Sequence, residues 1–210
     1  MEETLDKLLL DNKQELEDLN KVLIEIATGI IKAGNFTAHN LDFYILSIIN
    51  RTIALNKAFV LLLENENSLT AISIVRLQLD NAIRLYATKV VENGEDFLSH
   101  FLEGKPINKY KVNDQKLTDN FLVTELNKEV PGSRDLYNYL CDYVHFSHKH
   151  FDATKEKPIN EHALFRVAIG NFEVLDDSQK VTFYENMVSI STTIIRIGSE
   201  WVAVKSSVLK

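Results

Sequence analysis

Leu5, Leu8, Leu9, Leu16, Leu19, Leu23, Ile26 and Ile30 recur at helical spacing, with Asp6, Lys13, Glu17 and Asp18 on the opposite side. The period predicts an amphipathic helix over about 3–33, stopped by Gly34. Thr37 or Asn40 can start a second helix to about residue 64, along Tyr44, Ile45, Ile48, Ile49, Ile53, Phe59 and Leu62. Ser68 is the expected N-cap of a third. That helix is apolar in nearly every direction (Leu69, Ile72, Val75, Leu79, Ile83, Tyr86) and stops before Gly94, so it reads as the central helix of the fold.

A short amphipathic piece follows at 95–104, then a Lys-rich loop. Thr118 can cap a helix to about 129, and Ser133 another that continues to Phe151. β-branched and aromatic residues on both sides of Gly170-Asn171 predict a hairpin, with strands near 164–169 and 172–175. Asp176, Asp177 and Ser178 precede a last helix to about 206. The expected fold is mainly α: one domain over 1–210, a bundle of about six helices with a small β-hairpin before the last long one.

Two polar stripes interrupt this apolar pattern. On the third helix, Arg76, Asp80 and Arg84 are spaced i, i+4, i+8, with Ser73 and Thr88 extending the line. Neighbours at that spacing can pair, yet two arginines on one aspartate leave a positive charge that something else must answer. On the helix after Ser133, one face carries Arg134, Asn138, Cys141, His145, His148 and Asp152, and Tyr139 and Tyr143 lie on the other. The two stripes are expected to meet around one cleft.

Composition narrows the chemistry. With 7 Gly and 3 Pro in 210 residues, a turn-rich all-β fold is excluded. A single cysteine, Cys141, allows no internal disulfide and suits a reducing cytosol. Runs such as AFVLLL are core-length, and the acidic start goes straight into helical periodicity, so no membrane span or leader is expected. A formal net charge of −7 argues against a general nucleic-acid coat and leaves room for a local basic site.

The stretch YVHFSHKHF, Tyr143 to Phe151, holds half of the chain's 6 histidines. His145 and His148 could share a metal if His100, His162, Asp80 or Asp152 supplied a third ligand. The stretch lacks the Glu of a zinc-protease helix, and Arg76 and Arg84 would oppose a cation, so no metal and no cofactor is expected. Cys141 and His145 could form a nucleophile–base pair, but nothing marks an oxyanion site. The plainer reading is structural: histidines at a helix C-terminus complement its dipole, and the Arg–Asp–Arg ladder fixes packing. The chemical reading is an Arg-plus-His site for phosphodiesters, in which arginine holds phosphate charge and histidine moves protons. Lys105, Lys109, Lys111 and Lys116 could guide a strand to it.

At RLQLD (Arg76 to Asp80) and YLCDYVHFSH (Tyr139 to His148) the chain resembles a group of bacterial all-helical proteins. That group is similar to HEPN (higher eukaryote and prokaryote nucleotide-binding) domains. The resemblance implies a helical bundle, often homodimeric; the cytoplasmic setting and the lack of membrane contact are expected from the lone cysteine and the short apolar runs. The resemblance also implies RNA or nucleotide as partner and, in many members, metal-independent RNase activity in toxin–antitoxin or anti-phage systems. The candidate residues from the two stripes are His145, Arg76, Asp80 and His148 for catalysis, with Arg84, Tyr139 and Tyr143 contacting the ligand. The HEPN signature, an Arg four to six residues before a His on one helix, is missing before both His145 and His148. Arg76 or Arg84 would have to act from another helix. The alternative is a non-catalytic interaction module whose Arg/Asp/His network is structural.

Overall fold

The third helix, predicted to be central, packs against the second, fifth, sixth and last helices in a computed structural model that describes residues 2–38, 40–156 and 166–208. The elements are α1 (Glu2–Ala33), α2 (Asn40–Glu64), α3 (Ser68–Val90), α4 (Gly94–Leu102), α5 (Asp119–Glu129), α6 (Ser133–Val144), α7 (His148–Ala153) and α8 (Asp177–Val208). Two hairpins add β1 (Lys111–Val112) with β2 (Gln115–Lys116), and β3 (Lys155–Glu156) with β4 (Arg166–Val167).

Four long helices make the bundle. α1 and α2 are antiparallel, tied by Lys13–Glu64 at 2.5 Å and by Asn20–Asn56 at 2.8 Å. α2 and α3 are antiparallel too, with Asn56 against Gln78 and Tyr44 against Arg84. α8 returns parallel to α3, Ser191 meeting Gln78 and Glu200 meeting Lys89. It also runs parallel to α1, where Gly198 lets the helices approach so closely that a Cβ there would lie 2.9 Å from Ile26. Leu16, Leu23, Ile45, Phe59, Ile72, Leu79, Ile83 and Ile194 fill the space between them. By length and composition α2 could cross a membrane; in this bundle Ile45, Ile49 and Phe59 bury its inner side.

The caps show what fixes the ends. Asn67 caps α3, accepting from Thr70 N at 3.3 Å. Ser68, the expected cap, is buried instead: its hydroxyl accepts from Val174 N at 2.8 Å and Leu175 N at 3.2 Å. That tether explains why 172–175 is not a strand, since its amides bond to a side chain rather than to a sheet. The hairpin before α8 forms instead by pairing Arg166–Val167 with Lys155–Glu156. Gly170 turns the chain in the left-handed region, and positions 164–165 of the expected strand lie outside the described residues. α8 starts on a reciprocal cap: Gln179 N donates to Asp176 Oδ1 at 2.8 Å, and Asp176 N to Gln179 Oε1 at 3.0 Å.

The helix expected to run unbroken from Ser133 to Phe151 does not. α6 ends at Val144, His145 is extended at φ −99° and ψ 141°, and Ser147 caps α7. The Ser147 hydroxyl donates to the Asp142 carbonyl at 2.7 Å and accepts from Lys149 N at 3.2 Å. A serine that can bond to a preceding carbonyl and a following amide offers the chain an alternative to helix.

Candidate functional site

The positive charge left over on α3 is answered by α5. Arg84 Nη2 pairs with Asp119 Oδ1, and Arg76 Nη2 stands 4.0 Å from Asp119 Oδ2. Asp119 is the first residue of α5, and Thr118, its predicted N-cap, accepts from Phe121 N at 3.2 Å. α5 thus aims its positive dipole end at this seam. Within α3 half of the predicted ladder forms: Arg84 Nε lies 3.3 Å from Asp80 Oδ1, whereas Arg76 pairs with Asp119 and makes no ion pair with Asp80 among the described residues. Arg51, which the sequence pattern did not single out, reaches over from α2. Its Nη1 donates to Asn81 Oδ1 at 2.6 Å and Asp80 Oδ2 at 3.3 Å.

α6 closes the other side. The Arg76 guanidinium lies over the Tyr137 ring at 4.2 Å from its centroid, and Cys141 is beside it. Burial works against the charge on Arg76, but Cys141, Tyr137 and Asp80 outweigh it and hold its pKa above the ordinary arginine value. Burial also raises the Tyr137 phenol, against the pull of Arg76. The Arg76 side chain is 12% exposed and that of Arg51 44%, so Arg51 is the more open of the two to solvent. Three guanidiniums (Arg51, Arg76, Arg84) face two carboxylates (Asp80, Asp119), 3 − 2 = +1. Arg84 Nη1 is buried with no hydrogen-bond acceptor among the described residues.

Cys141 is the one residue of the α6 stripe that meets Arg76. Among the described residues no hydrogen bond or ion pair joins Arg76 or Asp80 to Tyr139, Tyr143, His145 or His148. The break after Val144 takes His148 off the common face that a continuous helix would have given it, while His145, the C-cap of α6, still donates its N–H to the Cys141 carbonyl at 3.3 Å. Both histidines are exposed. His150 is held closer in, Nδ1 accepting from Ser147 N at 3.4 Å and the ring stacking on Phe146, which is 89% exposed. Tyr139 and Tyr143 pair through their hydroxyls at 3.3 Å, and Lys149 Nζ sits 5.3 Å from the Tyr139 centroid. Burial, and then Tyr139, push the Tyr143 phenol up. The end of α6 is nonetheless pinned to α3, because Ser73 Oγ donates to the Tyr143 carbonyl at 2.8 Å.

A buried polar chain continues inward from the seam. Asn81 Nδ2 donates to Thr52 Oγ1 at 3.1 Å and Gln78 Oε1 at 3.0 Å; Gln78 Nε2 donates to Asn56 Oδ1 at 2.8 Å; Asn56 Nδ2 donates to Asn20 Oδ1 at 2.8 Å. Ser191 of α8 joins at Asn56 Oδ1, 3.1 Å away. α3 is therefore not apolar all round; its inward face carries Gln78 and Asn81, one turn apart, and that spacing was the signal available in the sequence. At the far end of α3, Glu129 gathers Arg196 at 2.8 Å, Lys89 at 3.0 Å and Tyr86 at 2.9 Å, which lowers its pKa to about 2.

Among the described residues no group of three or more His, Cys, Asp or Glu side chains is gathered for a metal. His100 bonds the Pro106 carbonyl at 3.0 Å, Asp152 pairs with Lys155, and His162 lies outside the described residues. The arrangement as a whole can hold an anion against guanidiniums and a helix N-terminus. No known protein family, curated protein or solved structure matches this chain.

Proposed function

We propose that this protein is an HEPN-like helical module that binds a phosphate-bearing ligand, RNA or a nucleotide, at the seam of α2, α3, α5 and α6. What carries the reading is the charge balance: three guanidiniums against two carboxylates, with Arg84 Nη1 lacking an acceptor. A phosphate oxygen approaching from the Arg51 side would supply the missing negative charge next to the α5 N-terminus. The homodimer implied by the resemblance and the cytoplasmic, membrane-free setting expected from the sequence belong to the same proposal, and sedimentation of the purified chain tests the assembly. Calorimetric titration with adenosine monophosphate and with a short single-stranded RNA tests the binding. Wild type should bind, and Arg51→Gln should weaken binding at least about tenfold, the usual worth of a charge-assisted hydrogen bond. No binding of either probe leaves the seam a structural ion-pair network and refutes the proposal.

A second reading, metal-independent RNA cleavage, is favoured by one contact. The Ser73–Tyr143 bond keeps the end of α6 against α3, so His145 follows Cys141, the neighbour of Arg76, by about one turn, ~6 Å along the axis. His145 would then move the proton while Arg76 and Arg84 hold phosphate charge, and His148 would stand by as a second acid–base group. His145→Ala should abolish cleavage and leave both the fold and nucleotide binding unchanged. Cleavage by that variant at the wild-type rate, or none by wild type, removes this reading while the binding proposal stands.

A further inference from the structure

At the opposite end of α3 from the histidines, an open cleft of about 670 Å³ lies between the α3–α4 turn and the C-terminal part of α8. Its volume falls within the range of small-molecule sites, roughly 300–1,000 Å³. Leu41, Val91, Val204 and Trp201 give it an apolar lining, and Glu92 and Glu95 bring two carboxylates. We propose that this cleft binds a small organic amine, with the apolar body against Trp201 and the ammonium at Glu92 and Glu95.

The charge of the lining selects the ligand. Lys205 also borders the cleft, but its ammonium is directed inward. Nζ donates to Asp42 Oδ2 at 2.6 Å, Ile30 O at 3.0 Å and Thr37 O at 3.3 Å, which uses its three protons. Asp42, fully buried behind it, offsets its charge. The charge facing the cleft is therefore that of the two glutamates. An anion would be repelled, and a bare metal ion would gain nothing from the apolar lining.

The site is also held in place before any ligand arrives. Trp201 Nε1 donates to Asp42 Oδ1 at 2.8 Å, which fixes the plane of the indole. Asn113 Nδ2 donates to Glu92 Oε1 at 2.8 Å, and Glu95 lies in the first turn of α4, where the helix dipole favours a carboxylate. An ammonium over the face of an indole is attracted by the ring's negative charge there, and tryptophan is the strongest aromatic partner for it.

Trp201 is the only tryptophan in the chain, so its fluorescence reports on this cleft without interference. Titration with 2-phenylethylamine should give a saturable change, and 3-phenylpropionate, similar in shape but anionic, should give none. The double variant Glu92→Gln, Glu95→Gln should keep the wild-type circular dichroism, because both side chains are exposed, and should raise the Kd for the amine about tenfold or more. Linear, non-saturating quenching by the amine, an equal response to the propionate, or an unchanged Kd in the double variant would each overturn the proposal.

Discussion

Replacing Lys205 with methionine removes the cation from the most deeply buried ion pair in the described structure. Lys205 Nζ is 2.6 Å from Asp42 Oδ2, with side-chain exposures of 6% and 0%, and it also donates to the carbonyls of Ile30 and Thr37. The ammonium thus joins the end of α1, the start of α2 and the last turns of α8. Gly34 belongs to the same knot, since a Cβ there would lie 2.5 Å from Nζ. Methionine fits the volume but takes the Lys205 ammonium away from the buried Asp42 carboxylate. Breaking a buried pair from one side costs about 3–5 kcal/mol. For 210 residues at ~2.1 cal/mol/K each, the unfolding entropy is about 0.44 kcal/mol/K, so Tm should fall by about 7–11 °C. The assay is thermal melting followed by circular dichroism, with Asp42→Asn, Lys205→Met as the partner variant. Removing both charges should recover part of the loss. A single variant melting within about 2 °C of wild type, below 1 kcal/mol, would refute a structural role for the pair.

Gly198→Ala places a methyl 2.9 Å from Ile26 and should lower stability by about 1–3 kcal/mol in urea melts, because α1 and α8 must part. Asn56→Leu strands polar groups on Gln78, Asn20 and Ser191, and should cost about 2–4 kcal/mol by the same measurement. The Glu129 carboxylate, lowered to about 2 from 4.5 by Arg196 and Lys89, stabilises the fold fully above its unfolded pKa. That contribution is lost as pH falls from about 4.5 through about 2, so Glu129→Gln should flatten the stability–pH curve in that window and leave its shape above pH 6 unchanged.

The long helices were legible because each buries one face over many turns; the apolar periods at Leu16–Leu23–Ile30 and Ile45–Ile49–Phe59 become core. Thr118 and Asp176 could be read as caps because their bonds are local. Ser68 was misread because its hydroxyl serves a segment more than 100 residues away, at Val174 and Leu175. The β1–β2 hairpin turns on Asn113-Asp114, both at positive φ, a pairing that Asn and Asp tolerate and that the Lys-rich loop concealed. Arg76–Asp80–Arg84 stood out as charge on an apolar helix. Arg51 and Asp119 did not, since each sits among ordinary surface polarity on its own helix and gains its meaning from packing. The histidine cluster was over-read: helical spacing from Cys141 to His148 holds only if the helix continues, and Ser147 restarts it.

In the function proposed above, the α3 seam holds a guanidinium charge for a phosphate. The side-chain Nε–H spectrum of the protein's 6 arginines, recorded by ¹⁵N NMR during titration with adenosine monophosphate at constant ionic strength, tests it most directly. The Arg51 and Arg84 signals should move together and saturate, with Arg134, exposed and outside the seam, unmoved. Shifts confined to Arg134, or small shifts of all six that never saturate, would contradict it.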